Sequence, residues 1–370
     1  MIPPDQNPLN IIISNCSRRW GGNERWTASI ANCLARAGHR IYFIHRTDIF
    51  DERLIPEIEK IPLPFKHEFD RKTGSVIKKL IKEKNIDILL PTKRKEYALL
   101  GRIGHKKDIP CIFRLGTRRH ISRIKLFQRM LYRKYADGLI VNADAIKKQL
   151  LADKIVVDEK KIHLVYNGYA FDEEIKKKVK FEIPEDKYIF ASAGRLTSEK
   201  GFDLLIEAAG NLIKSRSDFV IYIAGEGSDR EKYEKLCRAF GLDGKVIFLG
   251  GIDYVRALFA AADCIVMPSR REGIPNTLFE AWSVKKTVIA SNTSGFPEVI
   301  NHGENGFMFR LFGDKDDIFP SLEEALQYVI DYDTSQTGAA GYRMLKDDFS
   351  VERMCLNIQK IFYEYKGQIL

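Results

Sequence analysis

Short runs of branched apolar residues alternate with amphipathic stretches over nearly the whole chain. In the first half the runs fall at 10–14 (NIIIS), 40–44 (RIYFI), 86–90 (IDILL), 109–113 (IPCIF) and 138–142 (GLIVN). Each is too short for a helix and continuous enough for a strand buried on both faces. A Gly21-Gly22 turn and a helical pattern over about 23–37 separate the first two runs, and Gly38 supplies the helix stop. The fifth run is entered from a basic helix. The rhythm restarts at 187–194 (KYIFASAG) and continues at 219–225, 246–250, 264–269 and 287–291. Helical patterns at about 318–331 and 350–366 close the chain. Such alternation means parallel sheets covered by helices on both faces. Between the two series, Asn167-Gly168 leads into a polar, lysine-rich stretch ending near 180, a natural hinge.

At 370 residues the chain is too long for one ordinary core. The expected fold is α/β, two doubly wound Rossmann-like domains facing each other across a cleft. The first spans 1–168, with the final helix, 350–370, packing back on it; the second spans 169–349. In open sheets of this kind ligands collect at the carboxyl ends of the strands.

Composition narrows the class. Hydrophobic residues at 45% and charged residues at 30% describe a soluble globular protein. No apolar run approaches the ~20 residues of a membrane span, and residues 1–8 lack the basic start and apolar stretch of a signal peptide. Six cysteines without a Cys-x-x-Cys spacing read as buried free thiols in a reducing cytoplasm. The net charge of +10 is lopsided: residues 1–170 hold 34 Lys+Arg against 18 Asp+Glu, the remainder 26 against 32. Between Lys93 and Lys134 lie 14 basic residues against two acids, which points to an anionic partner of the first domain.

Four places could carry chemistry. Glu272 and Glu280 enclose Gly273-Ile274-Pro275-Asn276-Thr277-Leu278-Phe279, after a predicted strand and across the start of a helix. A helix start receives anions through its unpaired N–H groups and dipole; one acid can reach a reacting group and the other can accept hydrogen bonds from vicinal hydroxyls. In Gly194-Arg195-Leu196-Thr197-Ser198-Glu199-Lys200-Gly201, a guanidinium fork and an ammonium leave one strand edge together, as a pyrophosphate requires. Gly225-Glu226-Gly227 lets backbone pass flat against a base or ribose. Gly21 and Gly22 precede the first helix and make a second anion-accepting end. The dinucleotide fingerprint Gly-x-Gly-x-x-Gly is absent from the first-strand turns, which argues against a dehydrogenase.

Taken in order, these places resemble the family 4 (group 1) retaining glycosyltransferases of GT-B fold, most specifically over 268–281, where the two glutamates match the family's E-x7-E signature. Also similar are Asn167-Gly168, Pro297-Glu298 and Gly303-Glu304-Asn305-Gly306. The resemblance implies transfer of a sugar from a nucleotide-diphosphate sugar, with Arg195 and Lys200 holding the diphosphate, Glu280 the ribose and Glu272 the transferred sugar. Backbone over 273–278 would complete the seat, and Gly21 and Gly22 would approach the diphosphate from the first domain. It implies no metal and no cofactor; a nucleotide-sugar, UDP-sugar first, is the co-substrate, although the residues do not single out the base.

Some positions depart from the pattern. Where relatives carry a histidine after the 111–113 strand, Arg114, Arg118 and His120 are the acceptor-side candidates. Asp314-Lys315-Asp316 looks like a metal motif but follows no strand, and no metal is assigned to it. The acceptor is expected on the basic first domain, as an anionic glycan or glycolipid such as a lipopolysaccharide core. Apolar Ile124, Phe127, Met130 and Leu131 share one face of a basic helix that could rest on the inner face of the cytoplasmic membrane. Nucleic acid is not an expected partner, since no recognition module accompanies the basic stretch. Alternatives are a nucleotide-sugar epimerase or hydrolase on the same scaffold, and a silent glycan-binding subunit, which would not require all four charged residues.

Overall fold

Parallel strands form where the apolar runs place them, because each run is hydrophobic on both sides of the pleat. The computed structural model describes residues 6–116, 129–156, 158–171, 183–293, 295–311 and 319–367. It divides into two units, Met1–Ala170 with Phe349–Leu370, and Phe171–Asp348.

The first unit runs β1 (Asn10–Asn15), α1 (Gly22–Arg36), β2 (Arg40–His45), β3 (Glu59–Pro62), α2 (Arg71–Lys84), β4 (Ile88–Pro91), α3 (Arg94–Lys107), β5 (Ile112–Leu115), β6 (Gly138–Val141), α4 (Asp144–Ala152) and β7 (Ile162–Leu164). Two parallel sheets, β3-β2-β1-β4 and β5-β6-β7, are joined by a bridge from Leu89 to Cys111 and by the Leu89 N–H donating to the Pro110 carbonyl at 2.9 Å. Alternation divides the core between the faces: Ile11 and Ile13 join Leu34 and Phe43 on one, while Ile12 joins Ile44, Leu89 and Ile103 on the other.

The second unit runs β8 (Tyr188–Ala193), α5 (Phe202–Leu212), β9 (Phe219–Ala224), α6 (Arg230–Ala239), β10 (Val246–Gly250), α7 (Val255–Ala261), β11 (Cys264–Met267), α8 (Asn276–Ser283), β12 (Thr287–Ser291), β13 (Phe307–Phe309), α9 (Leu322–Asp331) and α10 (Ser335–Asp348). Its single parallel sheet has the order β10-β9-β8-β11-β12-β13. The order reverses between β8 and β11, the topological switch point at which doubly wound sheets receive ligands. The chain then returns to the first unit as α11 (Val351–Tyr365), which lays Met354, Ile358 and Phe362 into the core beside α1.

Several elements escaped the pattern. Strands β3, β7 and β13 have three or four residues, and α10 carries four glycines and alanines in its first seven residues, which blunts its amphipathic signal. The strand expected at 109–113 begins at Ile112, because Pro110 has no N–H to donate to a ladder. Arg114 therefore sits inside β5 and not after it. The helix expected from about 318 starts at Leu322, where Ser321 and Glu324 form a reciprocal capping box. Most of the basic helix expected over 121–134, with Ile124 and Phe127, lies outside the described residues; at its end Leu131 is buried and Met130 exposed. The lysine-rich hinge beyond Phe171 also lies outside them.

Candidate functional site

In the second unit the chain leaves β8 through 194–201 and leaves β11 through 268–275, so the two loops stand side by side at the switch point. Lys200 and Glu272, 72 residues apart in sequence, meet there in a charge-assisted hydrogen bond. Each side chain keeps 18% of its exposure, so the pair is half-buried yet reachable. Gly201 makes this approach feasible: its φ is +68°, and a Cβ there would stand 2.0 Å from the Pro268 carbonyl oxygen. Arg195, on the same loop, is exposed and has no ion-pair partner among the described residues.

The loop after β9 nests against this one. Gly194 N–H donates to the Ala224 carbonyl at 2.9 Å and Leu196 N–H to the Glu226 carbonyl at 3.0 Å. Gly225, with φ +140°, and Gly227 lie flush on Gly194 and Leu196, where a Cβ would come within 1.8 and 2.1 Å of the carbonyl oxygens. The Glu226 carboxylate turns to Arg230 at 3.1 Å and accepts from Gly251 N–H at 3.2 Å.

The start of α8 supplies the third wall. Gly273, Ile274 and Pro275 are buried, and Pro275 precedes the first helical turn with extended backbone. Asn276 and Thr277 open the helix half-exposed, and Leu278 anchors it in the core. The loop after β12 closes on it, with Gly295 N–H donating to the Glu272 carbonyl at 3.2 Å. Glu280, one turn into α8, is 7% exposed.

Two residues the motifs did not single out hold these loops together. Arg270, two positions before Glu272, grips Asp203 with both guanidinium nitrogens at 2.7 and 3.0 Å and donates to the Ser198 carbonyl at 3.0 Å. Burial pushes the Asp203 carboxyl up, but the Arg270 guanidinium overrides it and holds the group below the usual aspartate range. Their separation of 67 residues hides the pair from any local spacing rule; the one available signal was a cation beside Glu272 at a strand exit.

The first unit treats its charges differently. Gly21 caps α1 in extended conformation, Gly22 opens the helix, and Arg25 N–H donates to the Gly21 carbonyl at 2.9 Å. Arg114 is buried, donates to Asn23 Oδ1 at 2.5 Å and Asn167 Oδ1 at 3.3 Å, and lies 4.5 Å over the Trp26 ring. Burial lowers its pKa to about 10. Glu96, fully buried on α3, accepts from Ser14 Oγ, Cys16 N–H, Thr92 N–H and Lys93 N–H at 2.6 to 3.1 Å. Burial outweighs these donors and pushes its pKa up to about 7. Arg118 and His120 lie outside the described residues, as do Asp314 and Asp316. Among the described residues, no group of three or more His, Cys, Asp or Glu could hold a metal ion.

Residues 171–328 match the family described as Glycosyl transferases group 1, and residues 20–173 match Glycosyltransferase Family 4. An uncharacterized glycosyltransferase of Haemophilus influenzae is 26% identical over 354 residues, covering 94% of this chain and 96% of that protein. The lipopolysaccharide core biosynthesis glycosyltransferase LpsE of Rhizobium meliloti is 31% identical over 147 residues, 40% of this chain and 42% of LpsE. An uncharacterized glycosyltransferase of Methanocaldococcus jannaschii is 27% identical over 63% of each chain. The matched stretches thus span less than two thirds of these last two relatives. Among solved structures, a glycosyltransferase from Rickettsia africae superposes with a TM-score of 0.79 at 21% identity, over 97% of this chain and 99% of its own. HepE of Anabaena, solved in complex with UDP, superposes with a TM-score of 0.79 at 16% identity, over 96% and 100%. The fold is GT-B.

Proposed function

The chain belongs to the group 1 glycosyltransferases, and from that premise we propose that it is a retaining, metal-independent enzyme moving a sugar from a UDP-sugar to a glycan or glycolipid acceptor. The observation that carries the reading is the Lys200–Glu272 pair at the switch point, with exposed Arg195, which has no ion-pair partner among the described residues, on the loop that bears Lys200. A diphosphate brings charge that Lys200 and Arg195 can take up, which leaves the Glu272 carboxylate for the hydroxyls of the sugar. Glu280 is assigned to the ribose, and Gly194, Gly225, Gly227 and the backbone over 273–278 to the nucleotide and phosphate seat. UDP as the nucleotude carrier is favoured by HepE, which was solved with UDP and with UDP-glucose.

In the reaction the C1–O bond to the diphosphate breaks, and Arg195 and Lys200 stabilise the departing charge. The acceptor oxygen bonds to C1 from the same face, and its proton passes to the leaving phosphate oxygen. This internal return through a short-lived oxocarbenium ion keeps the anomeric configuration without a covalent enzyme intermediate; trapping a glycosyl group on Glu272 would contradict it.

An envelope glycan such as a lipopolysaccharide core is the acceptor we assign, supported by LpsE and by likeness in fold to the lipopolysaccharide galactosyltransferase WaaB, with a TM-score of 0.69 at 19% identity over 96% of this chain and 99% of that one. The excess of 34 basic over 18 acidic residues in 1–170 suits such an anionic acceptor and a seat on the cytoplasmic face of an anionic membrane. No helix among the described residues is long and apolar enough to cross a membrane. Reversing charge at Arg118, Arg119, Arg123 and Arg129 should abolish sedimentation with phosphatidylglycerol vesicles; unchanged sedimentation removes the membrane seat. The enzymatic reading is tested by incubating UDP-sugars with and without lipopolysaccharide core. Sugar should appear on the acceptor with its anomeric configuration kept; UDP release that ignores the acceptor indicates a hydrolase.

A further inference from the structure

Lys200 can serve a diphosphate only if its loop is held at one height above Glu272. The 198–201 turn closes on itself, with Lys200 N–H donating to the Thr197 carbonyl at 2.9 Å and Gly201 N–H to the Ser198 carbonyl at 3.3 Å, and it ends in Gly201 at φ +68°; these bonds shape the turn without tying it to the segment that carries Glu272. The bonds that tie it there come from Arg270. Arg270 N–H donates to the Glu199 carbonyl at 2.8 Å, its Nη1 donates to the Ser198 carbonyl at 3.0 Å, and its two nitrogens grip Asp203 at 2.7 and 3.0 Å. These contacts fall on both sides of Lys200, at 198, 199 and 203. The Pro268 carbonyl, pressed against Gly201, completes the template. The segment that leads to Glu272 is therefore also the mould for the loop that carries Lys200.

We propose that Arg270 is a positioning residue: through Ser198, Glu199 and Asp203 it braces the Lys200 loop so that the ammonium stands opposite Glu272, where the donor's diphosphate arrives. This rests on the donor reading above. The planar guanidinium is matched to the two carboxylate oxygens of Asp203 with a donor left for Ser198, a geometry lysine cannot reproduce. Arg270 touches no phosphate in this role. Its effect on binding passes through Lys200 and must vanish when Lys200 is gone.

The test is a double-mutant cycle read by titration calorimetry, with UDP, GDP, ADP and dTDP offered first to the wild type and the nucleotide that binds carried forward. Arg270→Gln and Asp203→Asn should each weaken binding about tenfold, and Arg270→Lys should recover only part of the loss. Lys200→Ala should weaken it at least as much, and Lys200→Ala with Arg270→Gln should bind no worse than Lys200→Ala alone. Arg216→Gln is the control for a purely structural loss: it removes a comparable ion pair, to Asp218 at 2.7 Å and Asp331 at 2.6 Å, away from both loops, and should lower the melting temperature without changing affinity. Circular dichroism confirms that each variant is folded; should Arg270→Gln fail that check, Asp203→Asn opens the same brace and carries the cycle. Additive losses, or wild-type affinity in Arg270→Gln, overturn the brace alone. A wild type that binds none of the four nucleotides overturns the donor reading and the purpose of the brace with it.

Discussion

The two units share one architecture and handle charge at their strand ends in opposite ways. In the first, Glu96 and Arg114 are buried among partners, the carboxyl with four donors and the guanidinium with two asparagines and a tryptophan ring. In the second, Lys200 and Glu272 are half-buried and, among the described residues, hold each other, while Arg195 is exposed. Groups buried among their partners cannot turn to a ligand; groups that keep exposure can. The difference suits the proposed function, in which the donor's diphosphate is taken by the second unit.

The largest effect expected is on the second unit. Glu272→Ala should reduce the rate of sugar transfer by ~10²–10³-fold while the nucleotide still binds, measured by product formation alongside calorimetry. Unchanged turnover removes Glu272 from its role and erases the contrast.

The next concerns pH, where the units should respond with opposite sign. The folded-state pKa of Glu96, about 7, lies above the ordinary 4.5, so the folded form binds the proton more tightly. Its contribution favours folding below pH 4.5 and is lost as pH rises through 7, about 3 kcal/mol in all. Asp203 is held below its ordinary value, so its contribution is present above the unfolded pKa and is lost as pH falls. In Trp282→Phe, Trp20 and Trp26 report the first unit alone, and denaturant unfolding from pH 5 to 8 should show stability falling; Glu96→Gln should flatten that slope. An unchanged slope in Glu96→Gln contradicts the assignment.

A smaller effect is expected at Arg114. Arg114→Met removes the hydrogen bonds that Arg114 donates to buried Asn167 and to Asn23 and should cost about 1–3 kcal/mol of stability in the first unit, with nucleotide affinity unaltered. Loss of nucleotide affinity would instead place Arg114 in the donor site.

What the sequence made legible follows the same contrast. The second unit could be read because its loops are shaped by backbone packing on glycine: Gly201, Gly225 and Gly227 stand where a Cβ would collide with a carbonyl, and glycine marks such places in the sequence. The Lys200–Glu272 contact follows once the strand order is known, since β8 and β11 are neighbours. The first unit is built on side-chain networks whose members are far apart, such as Arg114 with Asn23 across 91 residues and Glu96 with Ser14 across 82. No local period encodes those pairs. Arg114 reads as lying after its strand only because Pro110 sets the start of β5 back to Ile112, and the Arg270–Asp203 brace was hidden by its distance in sequence.

The central claim is that the activated sugar's diphosphate is held at the switch point of the second unit. The most direct measurement is a crystal structure of the protein soaked with UDP. The account expects the diphosphate on Arg195 and Lys200, the ribose on Glu280, and the Lys200–Glu272 bond opened; UDP bound away from these residues would contradict it.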